Sequence, residues 1–144
     1  MAVTYKPTYE NIQIKLRSII SAEFGNALPV YIGFDEKKQG LQFMQIKPVG
    51  SELLEYMANA ETRRYSIDLL FYYPPMKSET EVNNILRFCS RVEALLHDNV
   101  SMTLADSSNA FDCRVEETEF NAIDHDDFEV TRFRWMCTHM GNQS

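Results

Sequence analysis

The chain has 144 residues, an apolar fraction of 44% and a formal net charge of −7. That size suits one domain with one core, and that composition excludes a disordered chain. The start, "MAVTYKPTYE", lacks the basic-then-apolar layout of a signal peptide, and the longest apolar run, "LLFYY", is far too short for a bilayer, so a soluble protein with no membrane partner is expected.

In chain order, residues 1–7 read as an extended tail. "TYENIQIKLRSIISAEFG" reads as a helix, with Ile12, Leu16, Ile19 and Ile20 at helical spacing, Thr8 as its cap and Gly25 as its end. "PVYIGF" and "LQFMQIKP" read as a strand hairpin across the turn "DEKKQG", where Gly40 is free to take positive φ. The apolar phase of the second strand shifts between Phe43 and Met44, which implies a bulge or two buried faces. "VGSELLEYMANAET" neither alternates nor keeps a helical period. It is expected to be a long connection, with one helical turn around Leu53–Met57, that either serves binding or folds its apolar residues back onto the core, the second being favoured for Leu53 and Leu54.

"RRYSIDLLFYYPP" is the clearest strand. Tyr65, Ile67, Leu69, Phe71 and Tyr73 share one face, and Leu70 and Tyr72 make the other apolar as well, as in a central strand covered on both sides. Ser78 and Glu81 form a capping-box pattern for a second helix, whose stripe is Val82, Ile85, Leu86, Cys89, Val92 and Leu96. "VSMTLADSSNA" reads as a short strand and a turn. "FDCRVEETEF" and "FEVTRFRWMCTHM" alternate as two long strands, and residues 141–144 read as a tail. The expectation is a single α+β domain over residues 1–144: a two-layer sandwich with a mixed or mainly antiparallel sheet of about five strands, packed by two amphipathic helices.

Matching apolar faces sets Phe111, Cys113 and Val115 against Phe133, Trp135 and Cys137. One register places Arg114 opposite Arg134, which is unfavourable. The other places Glu116 opposite Arg134, Val115 opposite Trp135 and Cys113 opposite Cys137. The second is expected, with the two thiols close but reduced. Cys89, Cys113 and Cys137 are an odd number with wide gaps, which suits buried thiols in a reducing compartment and excludes a zinc knuckle.

"DHDD", Asp124 to Asp127, brings metal-ligand residue types together. It lacks the alternating acids, central Gly and distant Glu of a calcium loop, and a second His at helical spacing for zinc. It reads as the turn between the last two strands, so no metal and no cofactor is expected. There is no G-x-S-x-G elbow and no P-loop. His97 ends a helix, where a cation favours the dipole. Cys137 and His139 lie two apart on one strand face and offer the one nucleophile–base pair to consider, yet Cys137 follows Phe133 and Trp135 on that face, which favours a buried thiol. No catalytic residue is therefore assigned.

The net charge is not spread evenly. Between Asp112 and Glu129 stand eight acids and one base, Arg114, while the rest of the chain holds 13 of each sign. A protein that grips phosphate backbones shows the opposite balance. Glu116, Glu117, Glu119, Asp124, Asp126, Asp127 and Glu129 form either a solvated face or an acidic channel or partner surface. Arg63, Arg64, Arg87 and Arg91 offer a positive edge to pair with it in a neighbouring copy.

The succession of an amphipathic helix, the hairpin "PVYIGF…LQFMQIKP", a long loop, the strand "RRYSIDLLFYYPP", the helix "SETEVNNILRFCSRVEALLHD" and the closing hairpin "FDCRVEETEF…FEVTRFRWMC" resembles the tail terminator proteins of long-tailed bacteriophages. The resemblance covers roughly residues 8 to 140 and lies in element order and size, without a diagnostic motif. It implies a structural virion protein, assembled in the host cytoplasm and located at the tail end or neck. Such a protein forms a homo-oligomeric ring, a hexamer in that family, that caps the tail tube protein, stops its growth and docks the head–tail connector protein. Double-stranded DNA passes through the ring only in transit. On that reading Leu53, Leu54, Tyr56, Met57, Arg63 and Arg64 form the subunit or tube interface. Three other readings stay open: a neighbouring connector or tail-completion protein, a cellular α+β module for a ligand or basic peptide, and an enzyme built on Cys137 and His139.

Overall fold

Apolar residues at helical spacing build α1 (Thr8–Phe24), which buries Ile12, Leu16, Ile20 and Phe24. Pro7, not Thr8, stands at its N-cap, with no side-chain capping bond, and Gly25 ends it at φ 58°, a left-handed conformation that glycine adopts without strain. A computed structural model describes residues 5–32, 42–58, 60–123 and 127–142. After a 3₁₀ turn at Gly25–Ala27 come β1 (Val30–Ile32), β2 (Phe43–Met57), β3 (Ala60–Tyr73), α2 (Glu79–Asp98), β4 (Met102–Thr103), β5 (Asn109–Phe120) and β6 (Glu129–Asn142). The molecule is α+β. Among the described residues its mixed sheet has six strands, not about five, in the order β1-β2-β3-β6-β5-β4, and it curls into a half-barrel.

Four expectations change. β1 and β2 are not a hairpin: they pair in parallel, Val30 with Met44 and Ile32 with Ile46, and the segment 33–41 that joins them, with the expected turn at Gly40, lies outside the described residues. The stretch read as a long connection with a helical turn is strand over residues 49–57 and 60–62, because β2 runs to Met57 and Met57 lies opposite Ala60 of β3. Register shifts at Val49 and Leu54 break its alternation, and such bulges also bend and twist the sheet. Gly141 and Asn142 belong to β6 rather than to a tail. On α2, Leu86 is exposed, and Phe88 and Leu95 pack on the core beside Cys89, Val92 and Leu96.

The Ser78 cap forms as expected: its Oγ accepts from Glu81 N–H at 3.2 Å, and Glu81 reaches back to accept from Lys77 N–H. Both helices contribute to one core with Met44 and Ile46 of β2, Tyr65 to Tyr73 at every second position of β3, and Phe133, Trp135 and Cys137 of β6. Each such side chain removed fully from water contributes about 1.5–3 kcal/mol. The opposite sheet face carries a smaller cluster, Phe43, Leu70, Tyr72 and Val130, flanked by Tyr31 and Phe128. Phe43 stacks on Tyr72 with ring centroids 4.6 Å apart. Two buried faces explain the unbroken apolar runs in β2 and β3.

A bare arm and a charged hairpin as the candidate functional site

β2, β3 and β6 are all longer than the helices that cover them. Residues 50–57, 60–64 and 138–142 form an arm, paired Leu53–Arg63–His139, Tyr56–Glu61–Gly141 and Met57–Ala60–Asn142 across its width, with β5 added only at Phe111–Thr138 and Ala110–His139. The start of α1 closes its base: Tyr9 donates or accepts a 2.6 Å bond with Ser51 and meets Tyr65 edge-on at 5.0 Å. Beyond that point none of the described residues covers Leu53, Leu54, Tyr56 and Met57, which are between 42% and 61% exposed. The structure thus brings the four expected apolar residues together. It adds Val49 and Met140, exposed to a similar degree and not singled out in the sequence.

Arg63 and Arg64 lie in the same arm but are not a free positive edge. Arg63 binds Glu61 at 3.0 Å and Ser51 at 3.3 Å, and Arg64 lies 3.9 Å from Glu52. On the helices, Arg91 is engaged by Glu23 at 2.9 Å and rests over the ring of Phe24, while Arg87 is exposed. The expected pairing of these arginines with a neighbour's acids therefore has less to use: Arg63 and Arg91 bond acids within the chain, whereas Arg64 only approaches the exposed Glu52 and its Nε has no hydrogen-bond partner among the described residues.

The acidic segment is also compensated. Arg114 sits between Asp112, at 2.6 Å, and Glu116. Arg132 pairs with Glu119 and lies 3.7 Å from Glu117, and Arg134 binds Asp68 of β3 at 2.5 Å. Two of these pairs join directly opposed positions, Glu119 with Arg132 and Asp68 with Arg134, while Glu117 lies opposite Arg134 and approaches Arg132 diagonally. The expected register is correct at Val115–Trp135 and one residue off beyond it: Glu116 bulges out, so Glu117, not Glu116, faces Arg134. Asp127 is exposed, and Glu129 is half-buried with Oε2 lacking a hydrogen-bond partner among the described residues. Asp124 and Asp126, and with them the core of the "DHDD" turn, lie outside the described residues. Among the described residues, no group of three or more His, Cys, Asp and Glu is arranged to hold a metal ion.

Cys113 and Cys137 do meet. Cys113 shares a two-residue slot with Asp112, between the pairs Phe111–Thr138 and Arg114–Met136, and that slot faces Cys137 alone. Asp112 takes φ 55° to make the bulge. The Cys137 thiol donates to the Cys113 sulfur, which lowers the pKa of Cys113, and the same bond together with burial raises that of Cys137. Cys137 is therefore not activated by His139. The His139 ring instead bonds the Ser108 hydroxyl at 2.9 Å through Nε2, and Ser108 in turn bonds Asp106. Here serine, not histidine, occupies the middle position, so the order of a nucleophile–base–orienter set is not met. Burial holds the pKa of His139 below the ordinary histidine value. His97, expected as a solvated cap, accepts the Val115 N–H at 3.2 Å and so shields the outer edge of β5. No signal in the sequence pointed to that bond, since it joins residues that only the tertiary fold makes adjacent. No family model matches the chain, and no curated protein matches it.

Proposed function

We propose that this chain is a subunit of the ring that terminates the tail of a long-tailed bacteriophage, capping the tube and docking the head connector. The observation that carries the reading is the bare arm. Leu53, Leu54, Tyr56, Met57 and Met140 stand exposed on an arm that the chain's own helices do not reach. Clustered apolar exposure at one end of a molecule marks an interaction surface, whereas single exposed apolar residues do not. A subunit in a closed ring needs two different complementary surfaces, because head-to-tail contacts are heterologous. The arm supplies one, and the body of the molecule supplies the other.

The internal pairing of Arg63 and Arg91 changes how that contact works. Assembly rests on apolar burial rather than on charge steering, and so depends weakly on salt. The acidic hairpin keeps its excess of negative charge after Arg114, Arg132 and Arg134 are counted, and a negative surface beside a channel does not retain a passing polyanion. A ligand-binding module is the weaker reading: among the described residues, the pocket at Pro74, Pro75, Met76 and Ile85 holds about 190 Å³ and the one at Ile19, Ala22 and Leu95 about 260 Å³, both below the range of drug-sized sites.

The test is to remove the gene from the phage that carries it and measure tails by electron microscopy. The reading expects overlong tubes without heads. Tails of uniform normal length that still join heads would rule it out.

A further inference from the structure

We propose that Cys113 and Cys137 are a latent cross-strand disulfide, reduced as the protein folds and closed by a mild oxidant without rearrangement of the sheet. The proposal does not depend on the ring reading. It starts from register: in the β5 bulge two residues oppose one, and that one is Cys137. Directly opposed residues of antiparallel strands have Cα atoms about 4.5–5.5 Å apart, inside the range a disulfide accepts. Both side chains belong to the same core cluster and both are free thiols. The third cysteine, Cys89, is a buried residue of α2 with its pKa raised to about 11 by burial, and its hydroxyl partner is Thr131 rather than a second thiol.

The edge beside Cys113 is the thinnest part of the sheet. β4 has two residues, and Cys113 N–H is held by the carbonyl of Val100 at 2.9 Å in a loop. Local opening there exposes the pair to a small reagent. With a diazenedicarboxamide as oxidant the step balances. The Cys113 thiolate adds to one nitrogen of the N=N bond and the other nitrogen takes a proton. Cys137 sulfur then attacks Cys113 sulfur, its own proton passes to the departing nitrogen, and the reagent leaves as the hydrazine. Two thiols lose two electrons and two protons, and the reagent gains both. The resulting bond ties β5 to β6 where β6 enters the arm, next to the last two β5–β6 pairs, Phe111–Thr138 and Ala110–His139. Such a tether acts by restricting the unfolded chain, and it also holds the root of the arm against fraying.

The test treats the purified full-length protein with diamide under native conditions, then unfolds it in the presence of an alkylating reagent. The expected result is a mass lower by about two hydrogens before alkylation, a single Cys113–Cys137 cross-link in the peptide map, and Cys89 fully alkylated. Thermal unfolding should shift upward by about 5–10 °C, reversed by dithiothreitol. Cys89→Ser should behave as wild type. Three alkylatable thiols after prolonged oxidation, a bond involving Cys89, or cross-linking only in denaturant would each overturn the proposal.

Discussion

The helix-covered half of the sheet and the arm are made from the same three strands, β2, β3 and β6, yet they follow different rules. Under the helices every second residue is apolar and sealed: Ile46, Leu69 and Phe133 lie in one row, each without exposure. In the arm the same rows continue through Leu53, Arg63 and His139, and then Tyr56, Glu61 and Gly141. Backbone pairing continues across the boundary, through the register shifts at Val49 and Leu54. What changes is that apolar side chains stop being buried while charged pairs such as Arg63–Glu61 take over the internal contacts. The covered half therefore seals its apolar residues, and the arm leaves its own exposed among the described residues.

The largest test of that contrast is a matched pair of truncations. Leu16→Ala, beneath the sheet, should cost about 2–5 kcal/mol in urea unfolding, because it leaves a cavity in a closed core. Tyr56→Ala, in the arm, should change stability by no more than about 0.5 kcal/mol. Equal losses would erase the distinction. Asp68 sits on the face of β3 away from the helices and holds Arg134. Asp68→Ala should cost about 1–3 kcal/mol by chemical denaturation, since the guanidinium loses its charged acceptor in a half-buried place.

One arm residue should break the rule of tolerance. A Cβ on Gly141 would stand 2.8 Å from Cε1 of His139, whose ring is fixed by Ser108 and by Tyr65 edge-on. Gly141→Ala should cost about 1–2 kcal/mol, and a double-mutant cycle with His139→Ala should recover most of it. The smallest effect is with pH. Burial depresses the pKa of His139 in the fold, so the neutral ring is favoured there, although Asp106 and Glu61 pull the other way and Lys6 adds to the depression. Its contribution is complete above the unfolded value near 6.5 and is lost as pH falls below that value toward the lower folded pKa. The melting temperature of wild type should therefore drop on acidification through this window more than that of His139→Gln.

Much of the covered half was legible in the sequence, because burial writes a period into it. Ile12, Leu16 and Ile20 mark α1, and Tyr65 to Tyr73 mark the central strand. Face matching also found the contact between Cys113 and Cys137. The arm was not legible for the opposite reason. With both sides open to solvent, Leu53 and Leu54 carry no in–out alternation, and the shifts at Val49 and Leu54 scramble what remains. The slip at Glu116 has the same cause: a straight count along β5 does not foresee a bulge. The parallel pairing of β1 escaped because a polar, glycine-ended segment between two short apolar runs is the usual mark of a hairpin. Leu53, Leu54, Tyr56 and Met57 are exposed, and they stand on a strand rather than on the loop expected of them, while the expected return of Leu53 and Leu54 to the core does not occur.

The central claim is that the arm, and not the charge on the molecule, joins this subunit to its neighbours. The most direct measurement completes tails in vitro: tubes assembled without this protein are mixed with wild type or with Tyr56→Ser/Met57→Ser, and head joining is counted by electron microscopy. The variant should match wild type in melting temperature and fail to cap tubes, at low and high salt alike. A variant that folds and joins heads as well as wild type would contradict the account.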